Sequence, residues 1–343
     1  MTTMLHIDGS SGEGGGQVLR TALGLSLVTG TPFLIDKIRA GREKPGLKRQ
    51  HLTAVLAAAE VGAAQVEGAA LGSMRLAFKP KALRAGDYRF AIGTAGSTTL
   101  VLQTILPALL AADGPSTVEL VGGTHNPMAP PFDFLQHAFA PVLHRMGASL
   151  GLQLRTHGFY PAGGGQWRAT IAKAAWTPCE LLTRQEKPQL RARIVLAKIP
   201  QHVGEREAST LRARLGLRGD EVTIEEVASV GPGNVVMLRL GFGEVTEVVT
   251  ALGERSVRAE DVAAQVADEA GTLLAANVPV GEHLADQLLI PMALAGGGAF
   301  RTLQPSLHTT TNAQVIEQFL PVAFTMREDQ GQPGSWVVSV RPR

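Results

Sequence analysis

Val18-Leu-Arg-Thr-Ala-Leu23 is echoed by Val101-Leu-Gln-Thr-Ile-Leu106, at an offset of about 83 residues, and this internal repeat decides how the chain is organised. Both copies follow a lead-in of small and polar residues, Gly12-Glu-Gly-Gly-Gly16 before the first and Gly96-Ser-Thr-Thr99 before the second. A second helical run follows each copy. One is His51 to Val61, closed by Gly62-Ala63; the other is Phe134 to Met146, closed by Gly147-Ala148. These runs stand about 85 residues apart, so the two matches support each other. A related helix start, Gly281-Glu-His-Leu-Ala-Asp-Gln-Leu-Leu-Ile290, occurs near the carboxyl end.

Each unit therefore reads as strand, Gly-rich turn, helix, strand, second helix, strand. Phe33–Lys37, Ala64–Val66, Val118–Val121 and Leu150–Leu154 carry the aliphatic or β-branched residues expected of strands. The third unit comprises Val278 to Leu294, Gln314 to Phe319 and Trp336 to Val340, but it starts roughly one unit too late. The surplus, from about Thr183 to Ala275, reads as an insertion. Arg191–Ile199 is strand-like, Glu205 to Leu215 is a charged amphipathic helix, and Glu221–Glu226 and Val235–Leu240 are strands flanking Gly231-Pro-Gly-Asn234. A helix from Ala259 to Ala276 brings the chain back. The expectation is an α+β fold. Three repeated sheet-plus-two-helix units, roughly 1–85, 86–183 and 276–343, form a main domain of 1–183 and 276–343, and 184–275 is a smaller inserted α/β domain.

Composition narrows the classes of function. With 45% hydrophobic and 18% charged residues over 343 positions, the chain reads as an ordinary globular protein, and its net charge of +2 confines any polyanion site to a local patch. Aromatics make up 5%, which leaves little material for stacking platforms. The single cysteine, Cys179, excludes an internal disulfide framework and a Cys-rich zinc site. The amino terminus lacks signal-peptide character, and apolar runs such as Leu100 to Ala112 are too short to span a bilayer. A cytoplasmic protein without a membrane segment is expected.

Five segments carry candidate chemistry. Gly9-Ser-Ser-Gly-Glu-Gly-Gly-Gly-Gln17 leads into a helix, which makes it an anion site by construction, although it has neither the Lys of a phosphate-binding loop nor dinucleotide-type glycine spacing. Glu13 within it can cap the helix or hold a divalent metal beside phosphates. Lys37, Arg39, Arg42, Lys44, Lys48 and Arg49 form the one dense basic segment, broken by Pro45-Gly46 and running into Gln50-His51; guanidinium forks suit phosphate. Pro305-Ser-Leu-His-Thr-Thr-Thr-Asn312 presents His308 on a strand end or loop ahead of a helix, with Thr311 and Asn312 as N-cap candidates. A lone histidine is usually a local hydrogen bonder, so the partners decide its role. Thr124 to Phe132 and His157 to Trp167 are turns in which backbone approaches something closely.

Taken in order, these motifs resemble the RNA 3′-terminal phosphate cyclase family along nearly the whole chain. The resemblance lies in Asp8-Gly-Ser-Ser-Gly-Glu-Gly-Gly-Gly-Gln-Val-Leu-Arg20, Ile38-Arg-Ala-Gly-Arg-Glu-Lys-Pro-Gly-Leu47 and Gly122-Gly-Thr-His-Asn-Pro-Met-Ala-Pro-Pro131. The turn His157 to Gly165, Glu282-His-Leu-Ala-Asp-Gln287 and His308-Thr-Thr-Thr-Asn312 complete it. Trp167 departs from the aliphatic residue the family pattern usually has after its glycine triplet. The resemblance implies an ATP-dependent enzyme that needs Mg2+ or Mn2+ and acts on RNA with a 3′-terminal phosphate. By that resemblance His308 is the nucleophile that accepts AMP and Glu13 binds the metal. Gln103, His283, Leu284, Ala285, Asp286 and Gln287 bind the nucleotide, and Gln17, Arg20, Arg39, Arg42, Gln50 and His51 surround the phosphates or the RNA end. Two other readings stand beside it: a catalytically inactive, cyclase-like binding factor of ribosome assembly, and an enolpyruvyl-transferase-like enzyme. His308, Glu13, Arg20, Arg42 and Asp286 are all present, which speaks against the first, and the second gives His308 no role.

Overall fold

A computed structural model describes residues 4–184 and 187–343. The first sheet comes from β1 (Leu5–Asp8), β2 (Phe33–Asp36), β3 (Gln65–Glu67) and β4 (Leu76–Lys79) in the order β1-β2-β4-β3, with helices α1 (Gly16–Thr29) and α2 (Arg49–Val61) between its strands. β1 and β2 run parallel, as strands joined through a crossover helix must be arranged side by side; β4 and β3 add antiparallel. The second sheet repeats this wiring with β5 (Asp87–Ala91), α3 (Thr98–Ala111), β6 (Ser116–Gly122), β7 (Ser149–Thr156) and β8 (Gly165–Ala172), in the order β5-β6-β8-β7. Its second helical segment is a turn, α4 (Phe132–Phe134), a π-helical stretch over Leu135–Phe139, and α5 (Ala140–Arg145).

The third sheet differs from the sequence expectation at one point. Its first strand, β9 (Cys179–Leu181), precedes the insertion and pairs in parallel with Gly298–Thr302. Residues 179–181 therefore belong structurally with the last third of the chain, and the insertion interrupts that third after its first strand. A three-residue strand carries too little pattern to announce its partner across a hundred-residue gap. The insertion builds its own sheet from β10 (Gln189–Ala197), β11 (Val222–Glu226), β12 (Gly233–Gly241) and β13 (Thr246–Leu252), in the order β11-β10-β12-β13, backed by α6 (Gln201–Leu215) and α7 (Ala259–Ala276). After it come α8 (Glu282–Leu294), β14 (Gly298–Thr302), α9 (Leu307–Phe319), β15 (Val322–Glu328) and β16 (Trp336–Pro342). The third sheet, β15-β16-β14-β9, has the parallel pair and antiparallel hairpin of the other two.

Burial follows from composition. α3, Thr-Thr-Leu-Val-Leu-Gln-Thr-Ile-Leu-Pro-Ala-Leu-Leu-Ala, is apolar all round and nearly all of it is buried, as a central helix requires. The sheets instead alternate: β6 buries every second residue, Ser116, Val118, Leu120 and Gly122. One apolar core runs through all three units, while the inserted domain has its own around Ile194, Val236, Val249 and Val266. A smaller cluster of Phe159 with Val195, Ala197, Val235 and Met237 ties the second unit to the inserted sheet. Trp167 is fully buried, edge-on to Phe132, and its indole N–H donates to Thr98 Oγ1 at 2.7 Å, so the departure from an aliphatic residue is accommodated with its polar atom satisfied. No helix among the described residues is long and apolar enough to cross a membrane.

Candidate active site

α1, α3 and α8 are the first helices of the three units, and their repeat-equivalent residues Arg20, Gln103 and Gln287 line one small cavity of about 70 Å³. Gln103 donates to Gln287 across it. Asp286, Gln17, Thr21 and Asn312 complete its polar wall, while Leu106, Phe139, Leu143 and Trp176 are among its apolar lining.

α9 starts one turn earlier than its sequence suggests. Ser306 is the N-cap, its hydroxyl accepting from Thr309 N, so His308 lies inside the first turn, and Thr311 and Asn312 are buried helical residues and not caps. Ser306 satisfies the N-cap preference equally well and stands directly after Pro305, which cannot itself extend the helix backward. The change moves Asn312 onto the face of His308, one turn on. Asn312 Nδ2 donates to Asp286 Oδ1 at 2.9 Å, and its Oδ1 accepts from Thr21 Oγ1 at 2.7 Å. Thr311 Oγ1 accepts from Glu13 N at 3.0 Å, which fixes the glycine-rich loop against α9. Gly12, at φ 59°, leaves room for that threonine; a Cβ there would strike its hydroxyl. Thr21 was not picked out from sequence, and Thr311 and Asn312 only as caps, yet the i, i+4 spacings Gln17/Thr21 and His308/Asn312 mark Thr21 and Asn312 as same-face partners of the site.

His308 is half-exposed, and its ring is held at one nitrogen. Nδ1 is 3.1 Å from Gln17 Oε1, and Gln17 Nε2 donates to Asp286 Oδ1 at 2.5 Å. Since the Gln17 amide spends its N–H on Asp286, its oxygen faces the ring and accepts from Nδ1–H. The Nε2 lone pair is then free. Nε2 lies 3.9 Å from Glu13 Oε1. Burial lowers the His308 pKa, with Arg20 and Arg42 acting in the same direction and Asp286 opposing, so the imidazole is neutral at pH 7. Burial raises the Asp286 carboxyl, against the bonds from Asn312 and Gln17. It also brings the Arg20 guanidinium down to about 10, still charged at neutral pH.

The basic segment divides its labour. Arg42 reaches Glu13 and forms an ion pair with Oε1. Arg39 does not reach the site: it is buried and its Nη1 donates to Lys44 O at 2.7 Å and Gly46 O at 2.8 Å, bracing its own loop. Lys37 pairs with Asp8 at 2.8 Å. Gln50 Oε1 accepts from Ser97 N at 3.0 Å at the start of α3, linking the first unit to the second. His51 is buried beside Gly16 and Arg20; Nδ1 accepts from Lys48 N at 3.2 Å, and burial together with Arg20 pushes its pKa down to about 3, so it stays neutral. Of the α8 segment, Asp286 and Gln287 face the cavity, His283 is exposed in the first turn, and the side chains of Leu284 and Ala285 point into the core. A helix cannot present five successive side chains to one cleft.

Glu13 is the one carboxylate suited to a cation here. Its Oε2 is buried with no hydrogen-bond partner, although Arg42 holds the other oxygen. No group of three or more His, Cys, Asp or Glu able to hold a metal occurs among the described residues. A lone carboxylate fits a hard divalent ion that takes its remaining ligands from phosphate oxygens and water.

The other two singled-out turns lie in the second unit. Gly163 packs on Thr94 and Ala95, and Gly164 on Val230 of the inserted domain; side chains there would collide. The turn from 124 to 132 carries His125, wholly buried, with Nδ1 2.8 Å from Thr124 Oγ1 and Nε2 3.0 Å from Asp133 Oδ2.

The architecture is that of a mixed α/β protein with four mixed sheets, whose candidate site is assembled from the helices of repeated units. Within that class, the sequence profile of the RNA 3′-terminal phosphate cyclases matches residues 11–326, nearly the whole chain, and the chain belongs to that family. It is also similar to the crystal structure of the enolpyruvyl transferase NikO from Streptomyces tendae, at 12% identity and a TM-score of 0.37 over 98% of this chain and 48% of that one. That likeness is too slight to assign anything by, and the chain spans about half the length of that protein.

Proposed function

We propose that this chain is an active RNA 3′-terminal phosphate cyclase that spends ATP to convert a 3′-phosphate end into a 2′,3′-cyclic phosphate. The observation that carries the proposal is the state of His308. Its ring is neutral, its Nδ1 proton is committed to Gln17, and the side chain is half-exposed with no hydrogen bond at Nε2 among the described residues. That is how an imidazole nucleophile has to be presented.

Nε2 attacks the α-phosphorus of ATP, forming an N–P bond as the bond to pyrophosphate breaks. A 3′-phosphate oxygen of RNA then displaces His308 from the AMP phosphorus. The neighbouring 2′-hydroxyl, giving up its proton, attacks the activated 3′-phosphorus and expels AMP. Through the first two steps Gln17 keeps the Nδ1 proton in place and Asp286 keeps Gln17 in place. Arg20 and Arg42 supply fixed positive charge for anionic phosphates, where preorganised charge lowers the barrier most. Glu13 would hold Mg2+ or Mn2+, which when bound neutralises phosphate charge.

The test is incubation with α-labelled ATP and a divalent metal. Acid-labile, alkali-stable label on the protein, absent from His308→Ala, is expected. RNA ending in a 3′-phosphate should gain a phosphatase-resistant end, and RNA ending in a 3′-hydroxyl should not react. An unlabelled wild-type protein that still binds RNA would support the binding-factor reading instead.

A further inference from the structure

The inserted domain meets the candidate site at one buried hydrogen bond. Glu247 lies on β13, an edge strand of the inserted sheet, and is 3% exposed. Its neighbour Val248 packs in the core of the main domain and Val249 in the core of the inserted domain, so β13 is one place where the two bodies join. Glu247 Oε1 accepts from Gly281 N at 2.6 Å.

Gly281 is the N-cap of α8, and having no side chain it offers none of the usual capping oxygens. Helix starts leave backbone N–H groups without internal partners. Here the acceptor comes from 34 positions earlier in the chain and from another sheet. Glycine is what permits the approach: a Cβ on Gly281 would sit 3.2 Å from Glu247 Cδ and 3.2 Å from Leu273 Cδ2 of α7. One turn further along α8 stand Asp286, which holds Gln17 and Asn312, and Gln287, which meets Gln103.

We propose that Glu247 is a positioning residue through which the inserted domain anchors the start of α8, so that Asp286 meets Gln17 and Gln17 orients His308. This rests on the cyclase reading for its effect on catalysis, but not for its structural part. The inserted domain then acts on the reaction mechanically, by clamping one helix end.

Three variants test it by hydrogen exchange and by self-adenylylation with labelled ATP. Glu247→Ala should speed exchange in the first turn of α8 about tenfold, the equivalent of one lost hydrogen bond, and slow AMP transfer by a similar factor. Glu247→Gln, which keeps an acceptor at the same reach, should restore both. Should the alanine variant fail to fold, Glu247→Asp, one methylene short, should show the same pattern in weaker form. Unchanged exchange at α8, a uniform acceleration across the whole chain, or failure of the glutamine to rescue would overturn the proposal. If wild-type protein takes no label, the cyclase reading falls, and the exchange experiment still decides the role of Glu247.

Discussion

His308 and His125 both stand near a buried carboxylate, yet only one is in a position to do chemistry. His125 has the more complete network. One ring nitrogen meets Thr124 Oγ1, the other meets Asp133, and Arg193 of the inserted domain pairs with the far oxygen of Asp133 at 2.8 Å. The ring is fully buried and stacks on His157 at 5.2 Å between centroids. His308 is bonded at Nδ1 alone and is half-exposed. A histidine whose two nitrogens are both occupied is a rivet, while one fixed at Nδ1 with Nε2 open is a tool. Counting polar partners would put His125 first; a free lone pair puts His308 first.

The largest effect that could break this contrast is at His308. His308→Ala should reduce covalent labelling by AMP at least about a thousandfold, since removing a nucleophile leaves only binding and electrostatics. Label persisting at near wild-type level, measured after acid and alkali partition, would put the nucleophile elsewhere. Next in size is Gln17→Ala. It leaves His308 in place but frees Nδ1, and loss of a residue that orients a reactive imidazole costs about 10–100-fold. A wild-type rate would mean that the tautomer is set by some other group.

His125→Ala should behave in the opposite way. It leaves Asp133 with Arg193 as its one remaining ion-pair partner among the described residues, so melting should show a loss of about 2 kcal/mol of stability, as for other broken buried polar pairs. The folded fraction should adenylylate within about threefold of wild type. A selective loss of labelling with unchanged stability would erase the distinction between the two histidines.

Much of this arrangement was legible in the chain itself. The repeat of Val18–Leu23 in Val101–Leu106 places α1 and α3 as equivalents, and the α8 start supplies the third, which is why Arg20, Gln103 and Gln287 meet. The long helix Ala259–Ala276 ends where its pattern does. What periodicity could not show was pairing across distance. β9 is too short to declare that it belongs with β14. Site chemistry divided in the same way. Residue type alone made Arg39 and Arg42 alike, but backbone carbonyls of its own loop claim the first and Glu13 claims the second. Thr311 and Asn312 qualified as caps by residue type, but the helix register gives that place to Ser306.

The smallest effect on labelling concerns a sealed carboxyl, the acidic counterpart of His125. Glu207 on α6 is wholly buried; Asn234 Nδ2 donates to one of its oxygens at 3.0 Å and the other has no partner. Burial pushes its pKa up from 4.5 to about 7. Between those values the folded chain keeps a proton that the unfolded chain has released, so stability is fully present below 4.5 and falls as pH rises toward 7. One such group contributes a slope of at most about 1.4 kcal/mol per pH unit in that window. Glu207→Gln keeps an acceptor for Asn234 and removes the titration, so the difference in melting temperature between variant and wild type should grow in the variant's favour from pH 5 to pH 7. Because Glu207 touches none of the residues around His308, the rate of AMP labelling should not follow that trend. Parallel melts and labelling assays across the pH range make the comparison directly: a sealed group moves stability alone, an open one moves the reaction. If stability of the two proteins runs parallel with pH, Glu207 is ionised in the folded chain and water reaches its second oxygen.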